Sequence, residues 1–318
     1  MHKFTVTIVV PALNEQKIIT RCLISVQHLN YPKELIKVIV ADNGSRDRTR
    51  EIARQYLATV IDVPRQSIGY TRNVGAAETD SDIIAFIDAD IVVHPNWLAE
   101  AVPHFINEEV VAVGSYPAVF EEESNRLQRT WSNLCRNNQK GSMHADWLPS
   151  ANLIVRRSAF DQIKGFNKNL ITCEDSDLGY RLKAMGIIIN SSKVLVYHLR
   201  EPKTFGEFFK KEVWHSAGNL TGAFNHDFRL SELPSLALPA LFGAGIVGCA
   251  AAPFLGKTAL VVSCLLAVFP LCLYVGKGRG KAEGVGFIFC VYFVYLAARS
   301  YSFYLDVLQL ITLKKFKW

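Results

Sequence analysis

The first two hundred residues alternate short apolar runs with amphipathic stretches. Phe4 to Val10, Ile36 to Ala41, Thr59 to Val63 and Ile83-Ile84-Ala85-Phe86-Ile87 are rich in β-branched and aromatic residues. Continuous apolar runs of this length predict strands buried on both faces. The stretches between them, Gln16 to Leu29, Asp47 to Tyr56 and Arg72 to Thr79, space their apolar residues as helices do. Pro95 opens another helix, where its missing N–H costs nothing, and Val110 to Gly114 is a further strand. A polar helix over Ser124 to Lys140 and a short strand at Leu153-Ile154-Val155 follow. Next come a helix from Ser176 to Met185 stopped by Gly186, a short strand from Lys193 to His198, and an amphipathic helix from Thr204 to Asn219. Glycine suits that helix end because it tolerates the left-handed conformation there. The βαβα alternation predicts an α/β domain, a mostly parallel sheet with helices on both faces.

The pattern then changes. Leu233 to Gly256, Thr258 to Gly276 and Gly284 to Ala298 carry no charge. The first two are long enough to cross a bilayer. Only a short turn separates them, so they predict a helical hairpin over about 236–255 and 258–276. The third helix, about 285–305, contains Arg299 and approaches Asp306. Charges are costly in a simple span, which predicts a tilted or partly interfacial helix. The expected organisation is a catalytic domain over 1–203, an interfacial helix and linker over 204–232, and a membrane domain over 233–318.

Composition supports this division. Half of the 318 residues are hydrophobic, and the mean hydropathy is +0.15. The formal net charge is +6. Lys277, Arg279 and Lys281, and again Lys314, Lys315 and Lys317, flank the apolar segments. Basic clusters beside spans mark the cytoplasmic side, so the expected location is the cytoplasmic (inner) membrane, multi-pass, with the catalytic domain inside. No basic stripe interleaved with aromatics argues for nucleic acid. The seven cysteines include no C-x-x-C pair, which reads as reduced thiols without a zinc site. Thr5 to Val10 reads as a first strand rather than a signal peptide, because Pro11 interrupts it and Asn14-Glu15 follow. The sequence gives no oligomeric state.

The polar residues with chemical potential stand at strand ends. Pro11-Ala12-Leu13-Asn14-Glu15 ends the first strand, Asp42-Asn43-Gly44-Ser45 the second, and Asp88-Ala89-Asp90 a later one. In an open α/β sheet, ligands gather at the carboxyl ends of the strands. An Asp-x-Asp there suits a divalent cation that also holds phosphates, although Asp is also a common turn former. Asp42 can accept the N–H of a uracil-like base, Glu15 can hold ribose hydroxyls, and Arg72 can neutralise phosphate.

These residues, taken in order, resemble glycosyltransferase family 2, which has the GT-A fold. The resemblance rests on Pro11 to Glu15, Asp42 to Thr49, Arg72-Asn73-x-Gly75, Asp88-x-Asp90, Gly165-Phe166 and Glu174-Asp175-x-Asp177-Leu178-x-x-Arg181-Leu182. It covers about residues 4–200. It implies a metal-dependent inverting transferase that uses a nucleotide-sugar donor, most often UDP-linked, with Mg2+ or Mn2+. Pro11, Asn14, Glu15, Asp42, Arg72 and Asp88 would bind the donor, and Asp88 and Asp90 the metal. Asp175 would be the catalytic base, with Glu174 beside it; acids at this place also suit a helix N-terminus. His198 resembles a further metal ligand of some GT-A enzymes, and is equally readable as a structural histidine.

The membrane segments point to a lipid-linked or cell-envelope glycan acceptor met at the bilayer. Processive members of the family carry Gln-x-x-Arg-Trp on an interfacial helix. Lys210-Lys211-Glu212-Val213-Trp214 keeps only the Trp, which points to transfer of one sugar or a few rather than to polysaccharide synthesis. A nucleotidyltransferase or a dehydrogenase is disfavoured by the lack of a Gly-rich loop after the first strand. A nucleotide-binding membrane scaffold is the non-enzymatic alternative.

Overall fold

Strand β1 (Val6–Ala12) is buried along its whole length, as its unbroken apolar run requires. It lies between β2 (Ile36–Asp42) and β4 (Ile83–Ile87), parallel to both. In this computed structural model, which describes residues 4–136, 142–170, 172–217, 220, 233–277 and 284–312, the chain divides into two compact units. One holds residues 1–123 and 135–201, the other 124–134 and 202–318.

The first unit is built on an eight-stranded sheet. Its order is β3 (Thr59–Asp62), β2, β1, β4, β8 (Asn152–Arg156), β6 (Val110–Gly114), β9 (Ile187–Ser191) and β7 (Ser142–His144). β8 runs antiparallel to β4 and β6, and β7 antiparallel to β9; the other pairs are parallel. The chain moves outward from β1 to β3, then returns to place β4 on the other side of β1. Such a reversal marks the carboxyl ends of β1 and β4 as the place where ligands gather in an open α/β sheet.

Side chains alternate between the two faces, as a strand period of two demands. Val6, Ile8 and Val10 of β1 and Ile83, Ala85 and Ile87 of β4 pack with Ile19, Cys22, Leu23 and Val26. Those four form the apolar stripe of α1 (Ile19–Gln27). Val9, Ile84 and Phe86 face the other way, toward Phe160, Phe166, Leu178 and Leu182. Around the sheet lie α2 (Thr49–Gln55), α3 (Ile68–Ala77), α4 (Trp97–Ala101), α6 (Arg157–Gln162) and α7 (Glu174–Lys183). α3 starts earlier than its apolar pattern suggested because Ser67 caps it, its side chain accepting from the Tyr70 N–H.

A second, two-stranded sheet joins β5 (Ile91–Val93) to β10 (Val196–His198), antiparallel, with His198 opposite Ile91. The sequence pattern held no sign of β5, a three-residue strand directly after the Asp-x-Asp.

The second unit contains most of α5 (Arg126–Arg136), α8 (Phe205–Ser216) and three long helices, α9 (Leu233–Leu255), α10 (Lys257–Lys277) and α11 (Val285–Thr312). The last three are long and apolar enough to cross a membrane. Within the α9–α10 hairpin, a side chain at Gly245 would clash with the Ala267 backbone N, and one at Gly248 with Ser263 Oγ. Small residues at these positions let the two backbones approach. α11 is one continuous helix, and both of its charged side chains have hydrogen-bond partners. Arg299 donates to Glu212 of α8 from Nη2 at 3.0 Å and from Nε at 3.2 Å. Asp306 accepts from the Leu220 N–H at 3.4 Å. Most of the linker after α8, and the basic positions 279, 281, 314, 315 and 317, lie outside the described residues.

Candidate active site

Three strand ends and one helix start deliver the acids. Asp42 ends β2 and is fully buried. Its Oδ1 accepts from Ser45 N at 2.8 Å and Gly44 N at 3.2 Å, which forms the turn. Its Oδ2 is buried without a hydrogen-bond partner. An acceptor left in that state is costly, so Asp42 presents an unfilled place for an N–H donor.

The loop after β1 is stitched to that turn. Pro11 is buried within β1, opposite Ala41. Asn14 sits at φ 56, and its Oδ1 accepts from Arg46 N at 2.8 Å while its own N–H reaches Ser45 Oγ at 2.8 Å. Glu15 is anchored through its N–H to Thr49 Oγ1, also at 2.8 Å. Both Asn14 contacts are to residues of the neighbouring turn, so its visible work is to hold two loops together.

The carboxylate of Glu15 meets Arg200, Oε1 to Nη2, at 2.5 Å, and its Oε2 is buried without a partner. Burial pushes the Glu15 carboxyl up from its usual range, although the Arg200 guanidinium pulls it back. Arg200 Nε also donates to Asp90 Oδ2 at 3.1 Å. The same Asp90 oxygen lies 3.6 Å from His198 Nε2. The β5–β10 ladder sets this proximity, since it holds His198 beside Ile91 and lets Leu199 N donate to the Asp90 carbonyl at 2.9 Å. His198 Nδ1 is 3.4 Å from Glu201 Oε1.

Asp88 faces a different partner. Arg72, almost fully buried, donates to Asp88 Oδ1 at 2.7 Å and to Glu174 Oε1 at 2.9 Å. Its guanidinium stands 5.4 Å from the centre of the Phe166 ring. Burial would lower its pKa, but the two carboxylates outweigh this and raise it. The neighbouring motif residues explain the placement. Asn73 exchanges two 2.8 Å hydrogen bonds with the Phe166 backbone, and Gly75 lets α3 lie against Val9.

Glu174 and Asp175 open α7. Burial first, and then the Glu174 charge, push the Asp175 carboxyl up to about 6, against the opposing pull of Arg72 and of backbone N–H donors from Ser176 and Ser150. A carboxyl near 6 is ionised at neutral pH and remains basic enough to accept a proton.

Two linked clusters result: Glu15–Arg200–Asp90–His198, and Asp88–Arg72–Glu174 with Asp175 adjacent. The Asp88-x-Asp90 turn joins them. Among the described residues, no group of three or more His, Cys, Asp or Glu side chains is placed to hold a metal ion by itself. One carboxylate and one imidazole at Asp90 and His198 still fit an open site for Mn2+ or Mg2+. Such a cation takes its remaining ligands from phosphate and water. Arg200 was not anticipated from the sequence; the signal available was a basic residue two positions after His198.

The sheet order, with its reversal at β1, fits a GT-A domain, and it is followed by three helices long and apolar enough to cross a membrane. Residues 7–164 match the model of glycosyl transferase family 2, and the chain belongs to that family. It is 28% identical over 252 residues to the glycosyltransferase AglE of Haloferax volcanii, covering 75% of this chain and 80% of that protein. It is 30% identical over 201 residues to the beta-monoglucosyldiacylglycerol synthase of Nostoc sp., covering 56% of this chain and 41% of the relative. A mannosyltransferase from Pyrobaculum calidifontis, solved with GDP-Man and Mn2+, superposes with a TM-score of 0.67 at 18% identity, over 96% of this chain and 88% of its own. S. aureus TarS residues 1–349 with UDP-GlcNAc gives 0.52 at 15% identity, over 98% of this chain and 93% of its own. At such identities these two likenesses establish the fold alone.

Proposed function

We propose that this glycosyltransferase moves one sugar, or a few, from a UDP-linked donor to a hydroxyl of a lipid-linked or cell-envelope acceptor, with inversion at the anomeric carbon. The observation that carries this reading is the Asp88–Arg72–Glu174 chain. It seats Asp175, a carboxylate of raised pKa, next to acids suited to a divalent cation that would bind a nucleotide diphosphate.

The contacts support these roles. Asp42 Oδ2 receives an N–H of the base, and Glu15 Oε2 a ribose hydroxyl; both oxygens are buried and unpartnered. Arg72 is enclosed between Asp88 and Glu174, so it orients both acids from behind rather than contacting phosphate. Pro11 and Asn14 shape the donor loop through the backbone. Asp90 and His198, with Asp88 behind them, would hold a divalent cation, which when bound neutralises the charge developing on the leaving diphosphate. Asp175 takes the proton from the acceptor hydroxyl as its oxygen attacks the anomeric carbon. The C–O bond to the diphosphate breaks on the opposite face, so the configuration inverts.

The apolar helices motivate both the acceptor class and the assignment to the cytoplasmic membrane with the catalytic domain inside. In a melting screen of the full chain in detergent, a UDP-sugar with Mn2+ or Mg2+ is expected to raise the melting temperature, since a ligand of the folded state stabilises it. Transfer of labelled sugar to an extracted lipid is expected for the wild type and lost in Asp175→Asn. Stabilisation by GDP-sugars only would overturn the choice of base, and a long product ladder would overturn single transfer. Stabilisation by a nucleotide sugar together with equal, low turnover in the wild type and Asp175→Asn would favour the scaffold reading.

A further inference from the structure

Arg200 occupies the place where a bound cation would be most useful. Its guanidinium bridges two carboxylates from different strand ends, Glu15 at 2.5 Å and Asp90 at 3.1 Å. The Asp90 oxygen it uses is the one that faces His198 Nε2. A divalent ion taking Asp90 and His198 as ligands needs that same oxygen. It would then sit beside a fixed positive charge.

The two sides of this contact differ in freedom. The side chains of Glu15, Asp90 and His198 are only 13–16% exposed, whereas that of Arg200 is 50% exposed. The acids are held by packing and by the β5–β10 ladder, while Arg200 projects from the end of that ladder on a long, solvated stem. A planar guanidinium that can pair with two carboxylates can equally pair with the oxygens of a diphosphate.

We propose, resting on the donor and cation reading above, that Arg200 is an exchangeable stand-in cation. Without ligand it neutralises Glu15 and Asp90 and opposes entry of a free divalent ion. A nucleoside diphosphate draws its guanidinium onto the phosphate oxygens, which frees Asp90 for the metal. Metal and nucleotide therefore bind with positive coupling, and each strengthens the other by the same factor. Arg200 is a positioning residue whose effect appears in binding, separately from turnover.

The test uses the full chain in detergent, with Mn2+ and UDP as probes, so that no reaction takes place. Free Mn2+ is followed by electron paramagnetic resonance. For the wild type, saturating UDP is expected to tighten Mn2+ binding by about tenfold, within the usual span of coupling between sites. Arg200→Gln is expected to bind Mn2+ alone about tenfold more tightly than the wild type, and to lose at least threefold of the UDP coupling. Arg200→Lys keeps the charge but not the fork, and answers the same question if the Gln variant does not fold. It should fall between the two.

Mn2+ affinity without UDP that is unchanged or weaker in the variants overturns the stand-in role while leaving the cation reading intact. If no form binds Mn2+, with or without UDP, both readings fall together.

Discussion

Asp175 and Arg72 show how single residues set the chemistry. Raised to about 6 from 3.8, the Asp175 carboxyl holds its proton more tightly when folded than when unfolded. Its contribution to stability therefore falls as pH rises from about 4 to about 6, and above that the ionised group is a cost of up to about 3 kcal/mol, reduced by whatever solvent reaches it. Activity should rise over the same limb, with an apparent midpoint near pH 6 in kcat/KM. Asp175→Asn should lower turnover by at least about a thousandfold and yet raise the melting temperature at pH 8, a pairing that a purely structural helix acid would not give. Arg72→Met leaves two acids without their shared cation. Breaking a buried pair this way costs about 3–5 kcal/mol, so urea unfolding should show a loss of that order. Arg72→Lys should not restore it, because an ammonium cannot span both carboxylates in the same geometry. Arg72's partner Glu174 could not be inferred from Arg72's neighbours in sequence, since it lies 102 positions away.

At the scale of elements, α3 and the β5–β10 ladder place the acids. A methyl group at Gly75 would come within 2.5 Å of Val9 Cγ1 on the central strand. Overpacking of this kind typically costs about 1–3 kcal/mol. Gly75→Ala should therefore lower the melting temperature, and it should weaken UDP binding as well, because α3 carries Arg72. The strands ending at Asp42 and Asp88 were legible from their apolar runs, and so were the turn residues after them. The β5–β10 pairing was not. Three-residue strands carry too little pattern, and their partners are a hundred residues apart. The antiparallel direction of β8 was equally hidden, because alternation does not encode the direction of a neighbour.

At the scale of the whole molecule, the two units carry different solutions to buried charge. In the membrane unit, Glu212 is 2% exposed and pairs with Arg299. Burial pushes its carboxyl up, but His215 and Arg299 more than reverse this and hold it at about 2. Its stabilising effect is thus present above about pH 4.5 and is lost as pH falls toward 2. Arg299→Leu alone should destabilise the detergent-solubilised protein by about 3–5 kcal/mol, whereas Arg299→Leu with Glu212→Leu should recover most of that loss. Melting curves of the single and double variants check this. The pair also explains how a charge can stand in α11, a helix long and apolar enough to span. The sequence by itself determined the first strands of the sheet, which helices are apolar enough for a bilayer, and which acids end strands, because these depend on local periodicity and on residue chemistry; β5, β7 and β9 were not read from it. Only the tertiary structure decided that Arg72 lies behind Asp88 and Glu174, that His198 and Arg200 meet Asp90, and that Glu212 balances Arg299. Those contacts join residues far apart in the chain, and the energy of a buried charge depends on what surrounds it in space.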